Sequence, residues 1–373
     1  MIRPGATIGI LGGGQLGRMV AMAARTMGYR VVVLDPDPRC AAAGVVDDVV
    51  VGQFHDAAAA ADLARRCDVV TLEIEKLDPA VLASAAAYAP VRPGSDVLWP
   101  IQDRGRQKQW LTDHGLPVGA WHLAEDAAAL KAAVAAFGAS FAKSCHGGYD
   151  GRGQLEVTTE TVDGAWEALG GRPVVVEQAI DLDFELSVLV ARSPSGEVAV
   201  YPPAINHHVN RVLAWSAIPG EIEPRLHETA KQLARTIADG LKLEGLVAVE
   251  LFATRDGRLL VNELAPRTHN SYHASDRACE TSQFEQQVRA VCDLPLGSTA
   301  IVQPAAIANL LGDLWRDGEP PFEAALALPT VRLHLYGKTP RPGRKVGHLS
   351  ATGASVDEAI ARVRSAWNAL QPA

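Results

Sequence analysis

Val261-Asn262-Glu263-Leu264-Ala265-Pro266-Arg267-Thr268-His269-Asn270-Ser271 is the stretch on which the reading of this chain turns. An apolar run from Gly245 to Phe252, with Glu250 inside it, stands upstream, and Thr254-Arg255-Asp256-Gly257 separates the two. β-Branched and apolar residues flanking a Gly-containing loop predict a β-hairpin, and Asp-Gly is a favoured hairpin turn. Such a hairpin aims Glu250 and Glu263 at one point. Paired hard carboxylates suit Mg²⁺ holding nucleotide phosphates. Asn262 beside Glu263, and the crowd of Arg, His, Asn and Ser that follows, argue for a site rather than for solvent-facing strand charges.

The bulk numbers set the frame. At 373 residues the chain predicts two or three domains. Its apolar content of 48% supplies real cores, and its formal charge of −8 argues against non-specific nucleic-acid binding. No signal-type N-terminus and no apolar run long enough for a membrane helix are read. The five cysteines (Cys40, Cys67, Cys145, Cys279, Cys292) are scattered and form no C-x-x-C, as in a reduced, cytoplasmic protein. Cys145, in a Gly-rich loop, reads as a small loop filler.

Towards the N-terminus the pattern is βαβ. A strand over 7–11, the turn Gly12–Gly14, a helix from Gln15 to Gly28 and a strand from Tyr29 to Leu34 predict a parallel sheet. Weaker units follow: strands over 45–51 and 69–74, helices over 57–66 and 80–88. Pro90, Pro93 and Pro100 punctuate a boundary near residue 103. Beyond it, helices over 104–114 and 124–137 and strands over 141–143, 155–157, 174–178, 185–192, 198–201, 246–252 and 259–263, with an amphipathic helix over 223–241, predict an α+β region to about residue 301. A helix over 281–291 closes it. The tail, 302–373, shows strands over 305–310 and 331–336, a basic turn from Lys338 to Lys345 and a final helix over 356–370.

Two glycine clusters carry further chemistry. Gly12-Gly13-Gly14-Gln15-Leu16-Gly17 fits G-x-G-x-x-G between strand and helix, and Asp35 stands near the place of a ribose-binding acid. Its physics, free amides and a helix dipole facing an anion, serves any phosphate or carboxylate. Gly147-Gly148-Tyr149-Asp150-Gly151-Arg152-Gly153-Gln154 lies instead between a strand ending in Lys143 and a returning strand. That is a flap whose amides close over a triphosphate, with Lys143 and Arg152 to neutralise it. Val174 to Ile180 then presents Glu177-Gln178 at a strand end, a hinge edge for an adenine, with Glu185 placed for a ribose hydroxyl.

Strand-Lys, glycine flap, Glu-Gln hinge and two late carboxylates, in that order, resemble the ATP-grasp superfamily. Within it the chain is similar to the N5-carboxyaminoimidazole ribonucleotide synthase family from Ile8 to about Ser350, on GGGQLGRM (12–19), GGYDGRGQ (147–154), NELAPR with HNS (262–271), TSQFEQ (281–286), NLLGD (309–313) and RPGRKVGH (341–348). The resemblance implies an α/β and α+β chain with the ATP-grasp fold: a Rossmann-like N-terminal domain (1–103), a central ATP-grasp domain with glycine flap (104–301) and a small β-rich C-terminal domain (302–373). It implies ATP at Arg104, Lys143, Gly148, Tyr149, Asp150, Gly151, Arg152, Gly153, Gln154, Glu177, Gln178, Ala179, Ile180, Glu185, His208, Asn262 and Glu263. Mg²⁺, for which Mn²⁺ can substitute, falls to Glu250 and Glu263. The ribonucleotide falls to Glu73, Tyr149, Asp150, Arg152, Ser271, His273, Lys338, Arg344 and Lys345, with Asp150, Arg152 and Lys338 as catalytic residues. The first glycine loop becomes a wall of the ribonucleotide pocket, so that neither NAD nor biotin is required.

The implied reaction takes 5-aminoimidazole ribonucleotide, bicarbonate and ATP to the N5-carboxylated ribonucleotide, ADP and phosphate through carboxyphosphate, in purine biosynthesis. Implied partners are these small molecules, with no nucleic acid or membrane, and a second copy of the chain in a homodimer. The chain departs from the family at Lys76, Thr268, Tyr272 and Ser144-Cys145-His146, and a bulky Tyr272 is expected to crowd the ribonucleotide. Alternatives are another ATP-grasp ligase, such as a formate-dependent transformylase, and a NAD-linked oxidoreductase built on residues 1–100. A zinc site at His269 and His273 has helical spacing, but Pro266 and Asn270 argue against a helix there.

Overall fold

The computed structural model of the protein describes residues 1–147 and 153–371. Its N-terminal part is a parallel sheet of β1 (Thr7–Leu11), β2 (Arg30–Asp35), β3 (Asp48–Val51) and β4 (Val69–Leu72) in the order β3-β2-β1-β4. Continuous apolar strands need cover on both faces, and they have it. Ile8, Ile10, Val31 and Val33 pack with Leu16 and Val20 of helix Gln15–Thr26 and with Phe284 and Val288 of helix Gln283–Val291. Leu11, Val32 and Leu34 pack with Leu63 of helix Ala57–Arg65 and Val81 of helix Pro79–Ala86. A helix from late in the chain therefore closes one face of the first sheet. The proline-marked boundary is itself structured: helix Ser95–Ile101 carries Pro100 in its last turn, where the ring nitrogen cannot donate to the carbonyl four residues back and the helix ends one residue later.

Four antiparallel strands form a second sheet: β5 (Trp121–Ala124), β6 (Ser140–Ser144), β7 (Gln154–Val157) and β8 (Val174–Gln178), in the order β5-β8-β6-β7. The sequence reading passes over β5, an edge strand whose His122 and Leu123 are exposed and show no alternation.

The third sheet has nine strands: β9 (Leu182–Arg192), β10 (Val198–Val200), β11 (Ala204–Val209), β12 (Val212–Ile218), β13 (Gly245–Thr254), β14 (Leu259–Ala265), β15 (Ala305–Leu311), β16 (Val331–Leu335) and β17 (Lys345–Thr352). The order is β14-β13-β9-β11-β12-β15-β17-β16, with β10 paired to β9. The β-rich C-terminal part continues this sheet through the β12–β15 pairing. Three of its strands, β11, β12 and β17, are absent from the sequence reading. β11 and β12 meet at a turn without glycine, where Asn210 (φ 50) and Arg211 (φ 67) take the left-handed region. β17 begins at Lys345, at the end of the expected basic turn.

The β13–β14 hairpin is the one expected, and Glu250 is the register partner of Glu263. Along β13, Val247, Val249, Leu251 and Ala253 face the core under helix Pro224–Gly240, so Glu250 and Phe252 face the other way. On β14, Val261 and Leu264 both enter that core. Strict alternation would send Glu263 in after Val261. A bulge opposite the Glu250/Leu251 step inserts Asn262 as an extra residue, shifts the parity and turns Asn262 and Glu263 outward together.

Candidate functional site

One cavity of about 1090 Å³ is lined by elements of all three sheets. It receives Gln15, Glu73 and Glu75 from the N-terminal part, Arg104, Lys143 and Glu177 from the second sheet and its helix, and Glu185, His208, Glu250, Asn262 and Glu263 from the third. Lys338 and the segment 341–345 complete it. Phe141, Ile180, Leu182, Leu213 and Phe252 supply an apolar slot.

The two hairpin acids differ in electrostatics. Burial pushes Glu250 up, but the His269 imidazole, with Nε2 at 2.9 Å, and the nearby His208 outweigh it and hold the carboxyl down at about 2. Glu263 is raised by burial and then by the Glu250 and Glu75 charges, against the pull of Arg104 and Lys143. A cross-strand carboxylate pair in which one member is driven towards its neutral form is a site that gains from a cation. Among the described residues no set of three His, Cys, Asp or Glu side chains forms a closed metal cage. Two carboxylates with the Asn262 amide beside them supply part of the oxygen shell of a hard cation and leave positions for a ligand such as a polyphosphate. His208 is itself disfavoured as a cation by burial, yet Glu185 at 2.9 Å raises its pKa overall.

Below the acids lies a lysine pair. Glu177 Oε2 is 2.5 Å from Lys143 Nζ, and its Oε1 is 3.0 Å from Lys108 Nζ. The two ammonium groups overcome the cost of burial and bring the Glu177 carboxyl to about 2. Its carboxylate is therefore engaged by lysines, not presented at the hinge. The hinge amides of Gln178 and Ala179 donate to Ala120 O (3.0 Å) and Ala139 O (2.9 Å), the residues just before β5 and β6. Ile180 is the hinge residue whose side chain reaches the slot.

The first glycine loop has the form of an anion cradle and already holds an anion. Gly14 N donates to Glu73 Oε1 at 2.6 Å and Gly17 N to Glu73 Oε2 at 2.7 Å. Asp35, the presumed ribose acid of a dinucleotide site, accepts from Gly13 N at 2.9 Å. A pyrophosphate cannot use amides that a carboxylate of the same chain occupies. Glu73 faces the cavity beside Lys338, whose ammonium contacts Gln15 Oε1. The segment 338–345 is built from below. A Cβ on Gly312 would lie 2.4 Å from Arg341 N, Gly312 N donates to Arg344 O at 2.8 Å, and Asp313 Oδ2 accepts from Gly343 N at 2.7 Å. The NLLGD motif thus shapes the basic loop.

Of the residues named from sequence, Glu73, Arg104, Lys143, Gln154, Glu177, Gln178, Ile180, Glu185, His208, Glu250, Asn262, Glu263, Lys338, Arg344 and Lys345 line this one cavity. Gly148, Tyr149, Asp150, Gly151 and Arg152 lie outside the described residues. Gly153 and Ala179 are off the lining. Ser271 and His273 are placed behind the wall. Ser271 is wholly buried, bonded to Ser187 Oγ (2.7 Å) and His269 Nδ1 (2.8 Å). His273, 1% exposed, stacks on His348 and meets Gln283. A 3₁₀ turn over Asn270–Tyr272 sends them inward and splits His269 from His273, which removes the zinc geometry. Tyr272 also turns inward. Its hydroxyl lies 2.9 Å from Ser187 O and 2.8 Å from Pro202 O, so the expected crowding of the ribonucleotide does not occur. Cys145 is buried, and burial lifts its thiol to about 11, as befits a filler.

The sequence reading gave no site role to Lys108 and Glu75, and took Arg267, His269 and Asn270 only as a polar crowd beyond the acid pair. Arg267 Nε lies 2.7 Å from Glu75 Oε2. Gln283 clamps the His269 backbone, accepting from its N (2.8 Å) and donating to its O (2.9 Å), which gives TSQFEQ its use. Asn270 lines the cavity with both side-chain polar atoms unpartnered. HNS and NELAPR contained three of these residues. Lys108 carried no signal beyond its place four residues after Arg104.

Three family models match the chain: a ribonucleotide synthetase preATP-grasp domain over residues 5–102, an ATP-grasp domain over 109–284 and a phosphoribosylaminoimidazole carboxylase C-terminal domain over 305–362. N5-carboxyaminoimidazole ribonucleotide synthase of Bacillus subtilis is 40% identical over 370 residues, covering 98% of this chain and 97% of that protein. A crystal structure of an ADP complex of N5-carboxyaminoimidazole ribonucleotide synthetase superposes with TM-score 0.93 at 40% identity, covering 99% of each chain. The Aspergillus clavatus enzyme in complex with ADP and 5-aminoimidazole ribonucleotide superposes with TM-score 0.88 at 29% identity, covering 98% of each.

Proposed function

The chain belongs to the N5-carboxyaminoimidazole ribonucleotide synthase family, and from that premise we propose how its residues divide the reaction. The protein is an ATP-dependent ligase that forms a C–N bond by carboxylating 5-aminoimidazole ribonucleotide in purine biosynthesis. In our reading the adenine enters the slot of Ile180, Leu182 and Phe252, with Glu185 and His208 on the ribose side. Arg104 and Lys143 meet the phosphates, and the flap from Gly148 to Gln154 closes over them. Glu250, Asn262 and Glu263 face the same space, and the two carboxylates would hold Mg²⁺ or Mn²⁺. Bound there, the cation would offset charge on the transferring phosphoryl group.

Bicarbonate is a poor electrophile. Attack of its oxygen on the γ-phosphate gives carboxyphosphate and ADP, and the carboxyl carbon then passes to the exocyclic amine with release of phosphate. Carboxyphosphate decays in water, so exclusion of solvent by the flap protects it. Arg267, His269 and Asn270 line the same cavity as the acid pair and Lys338, and in our reading they supply donors for the small anion. Glu73 and Lys338 orient the ribonucleotide, and Arg344 with Lys345 meets its phosphate, Arg344 through a two-pronged bond. Arg152 and Tyr149 bring flap closure and substrate contact into one event. Asp150 and the departing phosphate are the candidate acceptors of the amine proton. A homodimer and a cytoplasmic location complete the reading on the family resemblance.

The observation that carries this reading is the single cavity that joins an acid pair, an apolar slot and a basic loop. A coupled ADP-release assay with each component omitted in turn tests it. Turnover is expected to need Mg²⁺, bicarbonate and the ribonucleotide together. Product formation with formate in place of bicarbonate would move the protein to the transformylases.

A further inference from the structure

We propose that Lys108 is a positioning residue: it keeps Glu177 paired so that Lys143 can leave that carboxylate for the nucleotide phosphates. The proposal rests on the reading of Lys143 as a phosphate ligand.

Glu177 lies between two ammonium groups, Lys143 on Oε2 at 2.5 Å and Lys108 on Oε1 at 3.0 Å. The two lysines are not equivalent. Lys143, on β6, lines the cavity, whereas Lys108, on helix Arg104–Asp113, stands behind it with its side chain 6% exposed. The Lys108 ammonium has three protons to donate and faces three acceptors: the Glu177 carboxylate, Asn262 O at 3.2 Å and Val261 O at 3.4 Å. It is not part of the cavity lining. One buried carboxylate thus has two counter-ions, and only one of them can reach a ligand.

Without Lys108, Lys143 would be the sole partner of Glu177. Its move to a phosphate would strand a buried carboxylate, the most penalised state such a group can take. With Lys108 in place, the exchange leaves Glu177 still paired. The same ammonium grips the backbone beside Glu263, so one side chain anchors both the hinge strand β8 and the acid hairpin.

The test is ADP·Mg²⁺ binding by calorimetry, with ATP KM and kcat, on Lys108→Met, Lys143→Met, Glu177→Gln and the double variant Lys108→Met/Glu177→Gln. Lys108→Met is expected to weaken ADP binding on the order of tenfold, the scale of one charge-assisted contact, and to raise ATP KM more than it lowers kcat. The double variant is expected to recover ADP binding, because the carboxylate that competes for Lys143 is gone. Wild-type ADP affinity in Lys108→Met, or a double variant as weak as the single, overturns the proposal. If Lys143→Met binds ADP normally, the phosphate reading itself fails. If only Lys143→Met loses ADP, the proposal alone fails. Should Lys108→Met not fold, Glu177→Gln decides: ADP affinity at least equal to wild type is expected, and a loss on the order of tenfold refutes the exchange.

Discussion

The hydroxyl of Tyr272 sits within hydrogen-bond distance of two backbone carbonyls, those of Ser187 and Pro202, in a core with no exposed surface. Burial pushes its pKa well up, so it remains a donor at any working pH. Tyr272→Phe keeps the ring packing and leaves buried carbonyls short of a partner, at a cost of about 1–2 kcal/mol. A lowered urea midpoint with an unchanged ribonucleotide KM is the expected result, since the side chain points away from the cavity. A raised KM would return Tyr272 to the substrate wall. Glu263 is the contrary case, a residue whose cost to the fold is accepted for its chemistry. Burial beside Glu250 raises its pKa, so Glu263→Gln removes an unfavourable charge. That variant is expected to keep or gain thermal stability while losing turnover by on the order of a hundredfold or more. Normal ADP release from it would refute the metal role.

At the scale of elements, the strand–glycine–helix unit at 7–26 shows how a motif fixes a form and leaves its ligand open. The amides of Gly14 and Gly17 face an anion as the motif demands. The anion is Glu73, delivered by the end of β4. A Cβ on Gly14 would stand 2.3 Å from Glu73 Oε1 and would drive the carboxylate outward. Gly14→Ala is therefore expected to raise the ribonucleotide KM on the order of tenfold or more through misplacement of Glu73. ADP affinity, measured by calorimetry, should hold. A loss of ADP affinity instead would put the nucleotide at the first loop. The acid hairpin makes the converse point. Its turn and its apolar runs are local and legible, but the extra residue at Asn262, which turns Glu263 out of the core, is set by pairing with β13 and has no local mark.

At the scale of the whole molecule, the N-terminal part meets the central part through the cavity itself. Glu75 and Arg267 form an ion pair across that junction, with side chains 18% and 19% exposed. Burial opposes ionisation of Glu75, yet the Arg267 charge and hydrogen bond bring its carboxyl down to about 2, below the ordinary 4.5. The unfolded chain therefore takes up this proton first as pH falls. The stabilisation is complete above 4.5 and is lost as pH falls towards 2. Glu75→Gln leaves a mostly buried guanidinium unpaired, at a cost of about 2–4 kcal/mol. It is expected to lower Tm at neutral pH and to flatten the fall of Tm between pH 4.5 and pH about 2. A parallel, merely shifted profile would show that other carboxylates govern acid stability.

The order of motifs along the chain, by itself, determined the acid hairpin, which rests on local pattern in its apolar runs and turn, and, through the family resemblance those motifs carry, the ATP-grasp class and part of the cavity lining. Residues 204–218 and 345–352 stayed unread as strands, since the β11–β12 turn lacks glycine and the polar residues Asn206, Ser216, His348 and Ser350 are buried only by tertiary packing. Only the tertiary structure decided which anion fills the first glycine loop, which of Glu177 and Glu185 remains available at the hinge, that Ser271, Tyr272 and His273 face inward, and that Lys108 stands behind Lys143. Each of these depends on what lies across a gap in space, and spacing along the chain does not encode a partner's distance.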